Sequence, residues 1–412
     1  MPTVALMGTL DTKGAEYAFV RDRLRAAGLE VVVVDTGVLG EPAFAPDVTR
    51  AEVARAAGTD VATLAARADR GQAIRAMADG AAVIVRRLRD EGRCDGALAL
   101  GGTGGTSLAS TALRTLPLGV PKIIVSTAAS GDTQAYVGES DLVLMPSVAD
   151  IAGVNRISAP ILANAAAALA GMVRQEPLPP TGDKPLVAAS MFGVTTPCVT
   201  AARQRLEELG YEVLVFHMTG VGGRTMEALA RDGHLAGVLD ATTTELADEL
   251  VGGVFSAGAD RLTGAGSAGI PQVVSVGALD MVNFGPRDTV PARFEERTLH
   301  VHNPSITLLR TTAAECAELG GRLAQRVSSS TGPSAVFLPL RGISAIALPD
   351  GPFHDAEADA ALFGAIRGGL ASGIELVEAD ADINDPVFAR AMANRLHELI
   401  VENGTADATV HP

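Results

Sequence analysis

The sequence predicts an α/β fold of two doubly wound, Rossmann-like parallel-sheet domains. Three observations carry that expectation: short β-branched runs alternate with Ala-rich helical stretches along all 412 residues, a proline-rich break lies near the middle, and the chain then restarts with its opening pattern. Strand runs that are apolar throughout belong to parallel strands covered by helices on both faces. At roughly 150 residues per domain the length suits two cores rather than one.

In the first half, strands are predicted at residues 3–7, 30–35, 95–100, 122–126 and 141–145. Helices fill the gaps. The clearest span 15–27 and 71–90, closed by Gly28 and Gly92 as C-terminal stops, and 156–173, with Leu162, Ala166, Leu169 and Val173 at helical spacing. Residues 175–185 hold four prolines, which continue neither a helix nor a sheet, so this is the linker. The expected domains are 1–178 and 179–412. The second half then gives strand 186–190, helix 199–209 ending at Gly210, and strands at 212–216, 237–239, 272–276, 335–339 and 374–378.

The two openings align. Gly8-Thr-Leu-Asp-Thr, a helix ending Leu24-Arg-Ala-Ala-Gly28 and Glu30-Val-Val-Val-Val correspond to Gly193-Val-Thr-Thr, a helix ending Leu206-Glu-Glu-Leu-Gly210 and Glu212-Val-Leu-Val-Phe. Any two strand–helix–strand units share such features, but a tandem pair of related domains accounts for the order as well. Ligands in these sheets sit beyond the carboxyl ends of the strands, so the loops there are where function is sought.

Composition narrows the function classes. Hydrophobic residues make up 47% but in short runs broken by Gly, Asp and Thr, and none approaches the roughly 20 apolar residues of a membrane span. No secretion signal precedes the first strand. Cys94, Cys198 and Cys316 lie far apart in unrelated contexts, which fits neither a disulfide framework nor a zinc knuckle and suits a reducing cytoplasm. A net charge of -15, three Tyr and no Trp argue against nucleic acid as a partner. That charge does not oppose a small phosphate ligand, because backbone N–H groups at a helix N-terminus hold anions without a lysine excess.

Gly101, Gly102, Thr103, Gly104, Gly105 and Thr106 follow a buried-strand pattern and lead into a helix expected over 107–116. Four glycines allow positive φ and close approach of a ligand, and two hydroxyls stand at the positive end of the helix dipole, which makes an anion cradle. No Lys-Ser/Thr pair follows as in a P-loop, and Ser107 occupies the third glycine position of the dinucleotide fingerprint. Two loops from the same sheet edge carry matching chemistry. One offers Gly8, Thr9, Asp11, Thr12 and Lys13, where Lys13 neutralises phosphate and Asp11 holds Mg²⁺ or a ligand's hydroxyls. The other offers Ser126, Thr127, Ser130, Gly131 and Asp132. Each loop alone reads as a helix cap; three at one edge favour a ligand site.

These three motifs, together with Gly277-Ala-Leu-Asp-Met-Val-Asn-Phe-Gly285, resemble the ATP-binding family typified by the tomato mosaic virus resistance protein, over essentially the whole chain. That family consists largely of uncharacterised bacterial proteins. The resemblance implies ATP binding and a homodimer. It does not supply a reaction.

In the second half, Gly220, Gly222, Gly223 and Arg224 follow a strand and open a helix, so they suggest a second anion cradle, with His217 beside it. Asp240 and Glu245 flank a run of threonines at the next strand end; the threonines resemble an N-cap, and the two carboxylates also suit acid/base work or magnesium ligation. Asp280, Asn283, Asn303 and Arg310 complete the set of substrate-binding candidates, Arg310 by bidentate grip on an acidic group. His300 and His302 share one face of an extended segment, but without a third close ligand they do not define a zinc site. The expectation is an ATP- and Mg²⁺-binding enzyme, with His217, Asp240, Glu245 and His302 as catalytic candidates for phosphoryl transfer or ligation on a small anionic metabolite held between the domains. The alternative is a non-catalytic, nucleotide-dependent interaction module.

Overall fold

A computed structural model describes residues 1–67, 69–176 and 184–410, the side chains only as far as 404 at the C-terminus. The chain divides into two compact units, Met1–Pro179 and Pro180–Pro412. The boundary expected at residue 178 and most of the proline-rich segment lie outside the described residues.

The N-terminal unit runs β1 (Thr3–Gly8), α1 (Gly14–Ala26), β2 (Glu30–Asp35), α2 (Arg50–Ala56), α3 (Val61–Arg67), α4 (Arg70–Asp90), β3 (Gly96–Gly101), α5 (Thr103–Leu113), β4 (Lys122–Ser126), α6 (Gln134–Val137), β5 (Val143–Pro146) and α7 (Ser158–Arg174). Its five strands are all parallel, in the order β2-β1-β3-β4-β5. Alternate residues of each strand feed two cores. Ala5, Met7, Val32 and Val34 pack with Met77, Ile84 and Leu88 of α4, whereas Val4, Leu6, Val31 and Val33 pack with Val20 and Leu24 of α1 and Leu162 and Leu169 of α7. Apolar residues on both strand faces produce the uninterrupted β-branched runs read in the sequence. The carboxylate of Asp69 accepts the Gln72 N–H at 2.9 Å and caps α4, and Gly92 ends it at φ +69°. Gly28, at φ +75°, ends α1 in the same way.

The C-terminal unit runs β6 (Leu186–Met191), α8 (Thr196–Glu208), β7 (Glu212–His217), α9 (Val221–Arg231), β8 (Gly237–Thr242), α10 (Glu245–Val251), α11 (Gly264–Ala268), β9 (Gln272–Gly277), β10 (Met281–Phe284), β11 (Leu299–Asn303), β12 (Ile306–Arg310), α12 (Ala313–Ser328), β13 (Ser334–Pro339), α13 (Ala356–Gly369), β14 (Glu375–Ala379) and α14 (Pro386–Val410). Six parallel strands are ordered β14-β13-β9-β8-β6-β7, so both units wind outward from their first strand. A small antiparallel sheet, β10-β12-β11, adds to the two parallel sheets that the sequence predicts. Its strands pair through a hairpin and a long connection, and the sequence marks only the segments around His300 and Arg310 as extended. Helix α5 begins at Thr103, four residues earlier than expected, because the glycines themselves form its first turn. Among the described residues, no helix is long and apolar enough to cross a membrane.

Candidate functional site

In the N-terminal unit the strand order reverses direction at β1 and β3, the switch point at which doubly wound sheets bind ligands. There the loops leave in opposite directions and a cavity of about 700 Å³ opens. Its polar wall comes from Thr9, Asp11, Thr12, Lys13, Thr36, Asp150 and residues 101–105, and its apolar wall from Val38, Leu64, Ile74, Met77 and Leu108. That volume lies within the roughly 300–1,000 Å³ of small-molecule sites.

The N-terminus of α5 forms one end of the cavity. No side chain caps it, and the first N–H groups of a helix have no intrahelical partner, so those of Thr103, Gly104 and Gly105 are available to an anion. None of the four glycines takes positive φ, contrary to expectation. Two of them are held by close packing: a Cβ on Gly101 would lie 2.8 Å from the Gly105 backbone, and one on Gly104 would meet Ile74 Cδ1 at 3.0 Å and Arg70 Nη2 at 3.6 Å. Arg70, which sequence reasoning missed, thus brings a guanidinium to the cradle. Thr106 was expected as a donor to the ligand; it is buried, and its hydroxyl pairs with that of Ser126 at 2.6 Å. Those two hydroxyls tie the turns after β3 and β4 together.

Lys13 lines the cavity while its ammonium donates to the Ile151 carbonyl, which leaves two further N–H groups on the same nitrogen. Gly8 is shaped by a neighbour rather than by a ligand. A Cβ there would lie 1.7 Å from the Tyr17 hydroxyl, which sits 2.8 Å from the carbonyls of Met7 and Leu100 and accepts the Leu100 N–H at 2.9 Å. This phenol is fully buried and clamps β1 to β3 beneath the cavity, and burial drives its pKa up. Tyr17→Phe leaves these backbone groups without their partner, so it is expected to cost about 3 kcal/mol in urea unfolding. Gly8→Ala should be at least as damaging. A Tyr17→Phe variant with parental stability would show that no such clamp operates.

Thr127, Ser130, Gly131 and Asp132 do not line the cavity. The Thr127 N–H donates to the Gly101 carbonyl, and Asp132 accepts the Gln134 N–H at 3.0 Å, the capping role that the motif alone also allowed.

In the C-terminal unit the corresponding switch point lies between β6 and β8. The hydroxyls of Thr195 and Thr242 meet there at 2.8 Å, both fully buried. The second Gly-rich cradle exists, but a carboxylate of the chain itself fills it. Glu245 Oε1 accepts the N–H groups of Gly220 at 2.7 Å and Gly223 at 3.1 Å, and a Cβ on Gly223 would fall 1.9 Å from Glu245 Oε2. Gly222 packs against the His217 carbonyl, which an added Cβ would approach to 2.0 Å. Arg224 donates to the Ser256 carbonyl at 3.2 Å.

Behind the cradle lies Arg261, a fully buried cation that the sequence does not single out, because its local sequence carries no motif. Its guanidinium binds Glu245 through Nε at 2.6 Å, Glu227 through Nη1 at 3.1 Å, and Asp240 through both terminal nitrogens. Glu227 also accepts the N–H groups of Leu262, Thr263 and Gly264, and Asp240 accepts the Ser190 hydroxyl at 2.7 Å. Asp240 and Glu245 were expected as bases. Both are buried and paired with Arg261 in this network. Burial raises the Glu245 pKa, with Arg261 opposing the shift.

The remaining candidates do not converge. Asp280 is buried, accepts the Ser344 hydroxyl at 2.7 Å, and has its pKa pushed up to about 6 by burial. Asn283 donates to Asp248 at 2.7 Å in the interior. Arg310 is held by Asp359 at 2.7 Å and the Phe353 carbonyl at 2.9 Å, so its fork is occupied. His302 and Asn303 are exposed on the β11–β12 hairpin, and His217 is exposed at the end of β7, its ring 5.2 Å from that of Phe192. Among the described residues no group of three His, Cys, Asp or Glu side chains is arranged to hold a metal.

These features define a two-unit α/β protein with a small-molecule-sized cavity at the switch point of its first sheet. The chain belongs to the uncharacterised protein family UPF0261: residues 2–177 match its N-terminal domain and residues 184–400 its C-terminal domain. It is 49% identical to a UPF0261 protein of Clostridium tetani over 394 residues, which cover 95% of this chain and 98% of that one. A UPF0261 protein of Mesorhizobium japonicum is 45% identical over 95% of this chain and 98% of its own length. The ToMV resistance protein Tm-1(GCR237) of Solanum lycopersicum is 41% identical over 97% of this chain, which spans 56% of that longer protein. The family expected from the motifs is the one found.

Proposed function

We propose that the N-terminal unit binds ATP. The observation that carries this reading is the uncapped N-terminus of an 11-residue helix at a switch-point cavity, with Lys13 and Arg70 beside it. Backbone N–H groups and two cations suit a polyphosphate, and the apolar wall of Leu64, Ile74 and Met77 suits a base. Asp150, a carboxylate in the cavity wall, would hold Mg²⁺, which when bound neutralises phosphate charge. The protein on this reading is a cytoplasmic homodimer.

Two uses of the nucleotide remain in view. An ATP-consuming enzyme acting on a small anionic metabolite needs a free base. The burial of Asp240, Glu245 and Asp280 leaves His217 and His302 as the exposed acid/base candidates for the first use; the second use, a nucleotide-dependent interaction module, needs none.

Addition of MgATP is expected to raise the melting temperature of the full chain by several degrees, since ligand at 100 times its Kd stabilises by about 2.7 kcal/mol. Gly104→Val should abolish that shift while leaving the unliganded melt close to the parent's, because the new side chain meets the movable end of Ile74 rather than backbone. An undiminished shift in this variant would place the nucleotide elsewhere.

A further inference from the structure

The outer edge of a sheet presents a row of unpaired N–H and C=O groups, a template for another chain that proteins ordinarily blunt. The three sheets of the described residues have six edges, and five of them are blunted. Residues 47 and 48 cover β2: the N–H groups of both donate to the Val33 carbonyl, and the Asp35 N–H donates to the Val48 carbonyl. On β5 the Ser147 N–H donates to the Ser126 carbonyl, so Pro146 faces outward, where it has no N–H to offer. On β14 two charged residues, Glu375 and Glu378, are held by Arg395 and Arg367. On β10 the Asn283 carbonyl accepts the Val254 N–H, and the Asn283 N–H donates to Asp248. The register of β11 shifts between Val301 and Asn303, as at a bulge.

The sixth edge, β7, has none of these devices. Its six residues pair with β6 in unbroken register and include neither proline nor lysine. The N–H groups of Glu212 and Met218 donate to the carbonyls of Pro185 and Met191, so even-numbered residues face β6 and Val213 and Val215 face outward. The His217 carbonyl already accepts the Thr219 N–H at 2.9 Å. Among the described residues nothing pairs with the N–H and C=O groups of Val213 and Val215, and the Val215 side chain is 37% exposed.

We propose that β7 pairs with β7 of a second copy of this chain, antiparallel about a twofold axis at Leu214, so that one sheet runs through the dimer. Val213 of each copy then lies opposite Val215 of the other, and each such pair exchanges two main-chain hydrogen bonds. A foreign strand would have to match this spacing, whereas the second copy has it by symmetry. Charge agrees with the arrangement. Glu212, the one carboxylate of the strand, falls opposite Phe216 of the other copy and about 14 Å along the strand from the second Glu212. A chain of net charge -15 thus joins along this edge with no like charges in register. Valine meets valine on one face. On the other, half-buried Leu214 and Phe216, with Leu229 of α9 packed against the same cluster, add apolar area toward the roughly 800 Å² per partner that a stable dimer buries.

This inference rests on the homodimer reading, to which it gives a surface, and its test separates the two. Sedimentation of the full chain is expected to show a dimer. Hydrogen exchange should show the peptide spanning β7 gaining slow amides as concentration rises through the dissociation constant. Val215→Lys sets an ammonium at the edge, and Val215→Pro removes an N–H that the chain's own sheet does not use; each should raise that constant at least ~10-fold. Val143→Lys, on the blunted edge of β5, should leave it unchanged. A parent that sediments as a monomer at every concentration overturns both this inference and the homodimer reading. A dimeric parent whose β7 amides exchange equally above and below the dissociation constant overturns β7 as the surface, leaves the homodimer standing and frees the edge for an extended segment of a different protein. Folded Val215 variants that dimerise as the parent does have the same consequence, and should neither variant fold, the exchange measurement on the parent decides.

Discussion

Replacement of Arg261 by Ala is expected to unfold the C-terminal unit at neutral pH while the N-terminal unit keeps a cooperative transition of its own. The reason is the charge balance around one buried guanidinium. Three carboxylates, from Glu227, Asp240 and Glu245, converge on it, and all four residues are shielded from solvent. Backbone N–H groups from the starts of α9 and α11 and the Ser190 hydroxyl supply the remaining partners. Removal of one member of a buried ion pair costs about 3–5 kcal/mol, because a charge is left behind without compensation. Here three charges of like sign would be left together, against a total domain stability of about 5–15 kcal/mol. Arg261→Lys should rescue little, since an ammonium cannot reach Asp240 bidentately and Glu227 and Glu245 at the same time. Calorimetry reads the outcome: the parent is expected to show the transitions of both units, and the variant only that of the N-terminal one. An Arg261→Ala protein that melts within a few degrees of the parent would show that the cluster is not what holds this unit together.

The same cluster marks the limit of what the sequence discloses. Parallel strands are legible because both of their faces are buried, which forces β-branched runs such as those of β2 and β9 whatever the partner strands are. The glycine stops are legible because Gly28, Gly92 and Gly210 take positive φ. Both Gly-rich helix starts stand out in composition alone. Composition does not tell that the start of α5 is open while that of α9 is filled by Glu245, since this depends on a carboxylate brought in from the start of α10, after β8, two strands away in the sheet. Arg261 lies among small and polar residues with no periodicity to mark it. Thr36 was within reach: the rule that directs attention to carboxyl ends of strands applies to Asp35-Thr36-Gly37 as it does to the other loops. Arg70 was not, because its proximity to Gly104 arises from the packing of α4 against α5.

At alkaline pH, Asp248→Asn is expected to stabilise the C-terminal unit. Asp248 lies on α10, fully buried. Its Oδ1 accepts the N–H groups of Asn283 and Phe255, each at 3.1 Å, and its Oδ2 accepts from the Asn283 amide at 2.7 Å. Among the described residues no Lys or Arg pairs with it. Burial therefore dominates and pushes its pKa up from 3.8 to about 7, with the Glu245 carboxylate acting in the same direction. The folded state thus holds a proton that the unfolded chain has already released, so the unit is most stable below the unfolded value. Stability is lost as pH rises from about 4 to about 7 and then levels off. Three pKa units correspond to about 4 kcal/mol in full, of which about 2 kcal/mol falls between pH 5.5 and 8.5. An Asn side chain has nearly the shape of the protonated acid, keeps an acceptor for the two backbone N–H groups, and carries no charge to bury. Its own amide can donate to Asn283 Oδ1, which lacks a partner in the parent, once the Asn283 amide turns over. Urea unfolding of parent and variant should show the variant's advantage growing by about 2 kcal/mol between pH 5.5 and 8.5, with the variant the more stable at the upper end. A difference that stays constant across that range would mean that Asp248 does not titrate there, and a variant less stable at both ends would mean that its ionised carboxylate is needed by the N–H groups of Asn283 and Phe255.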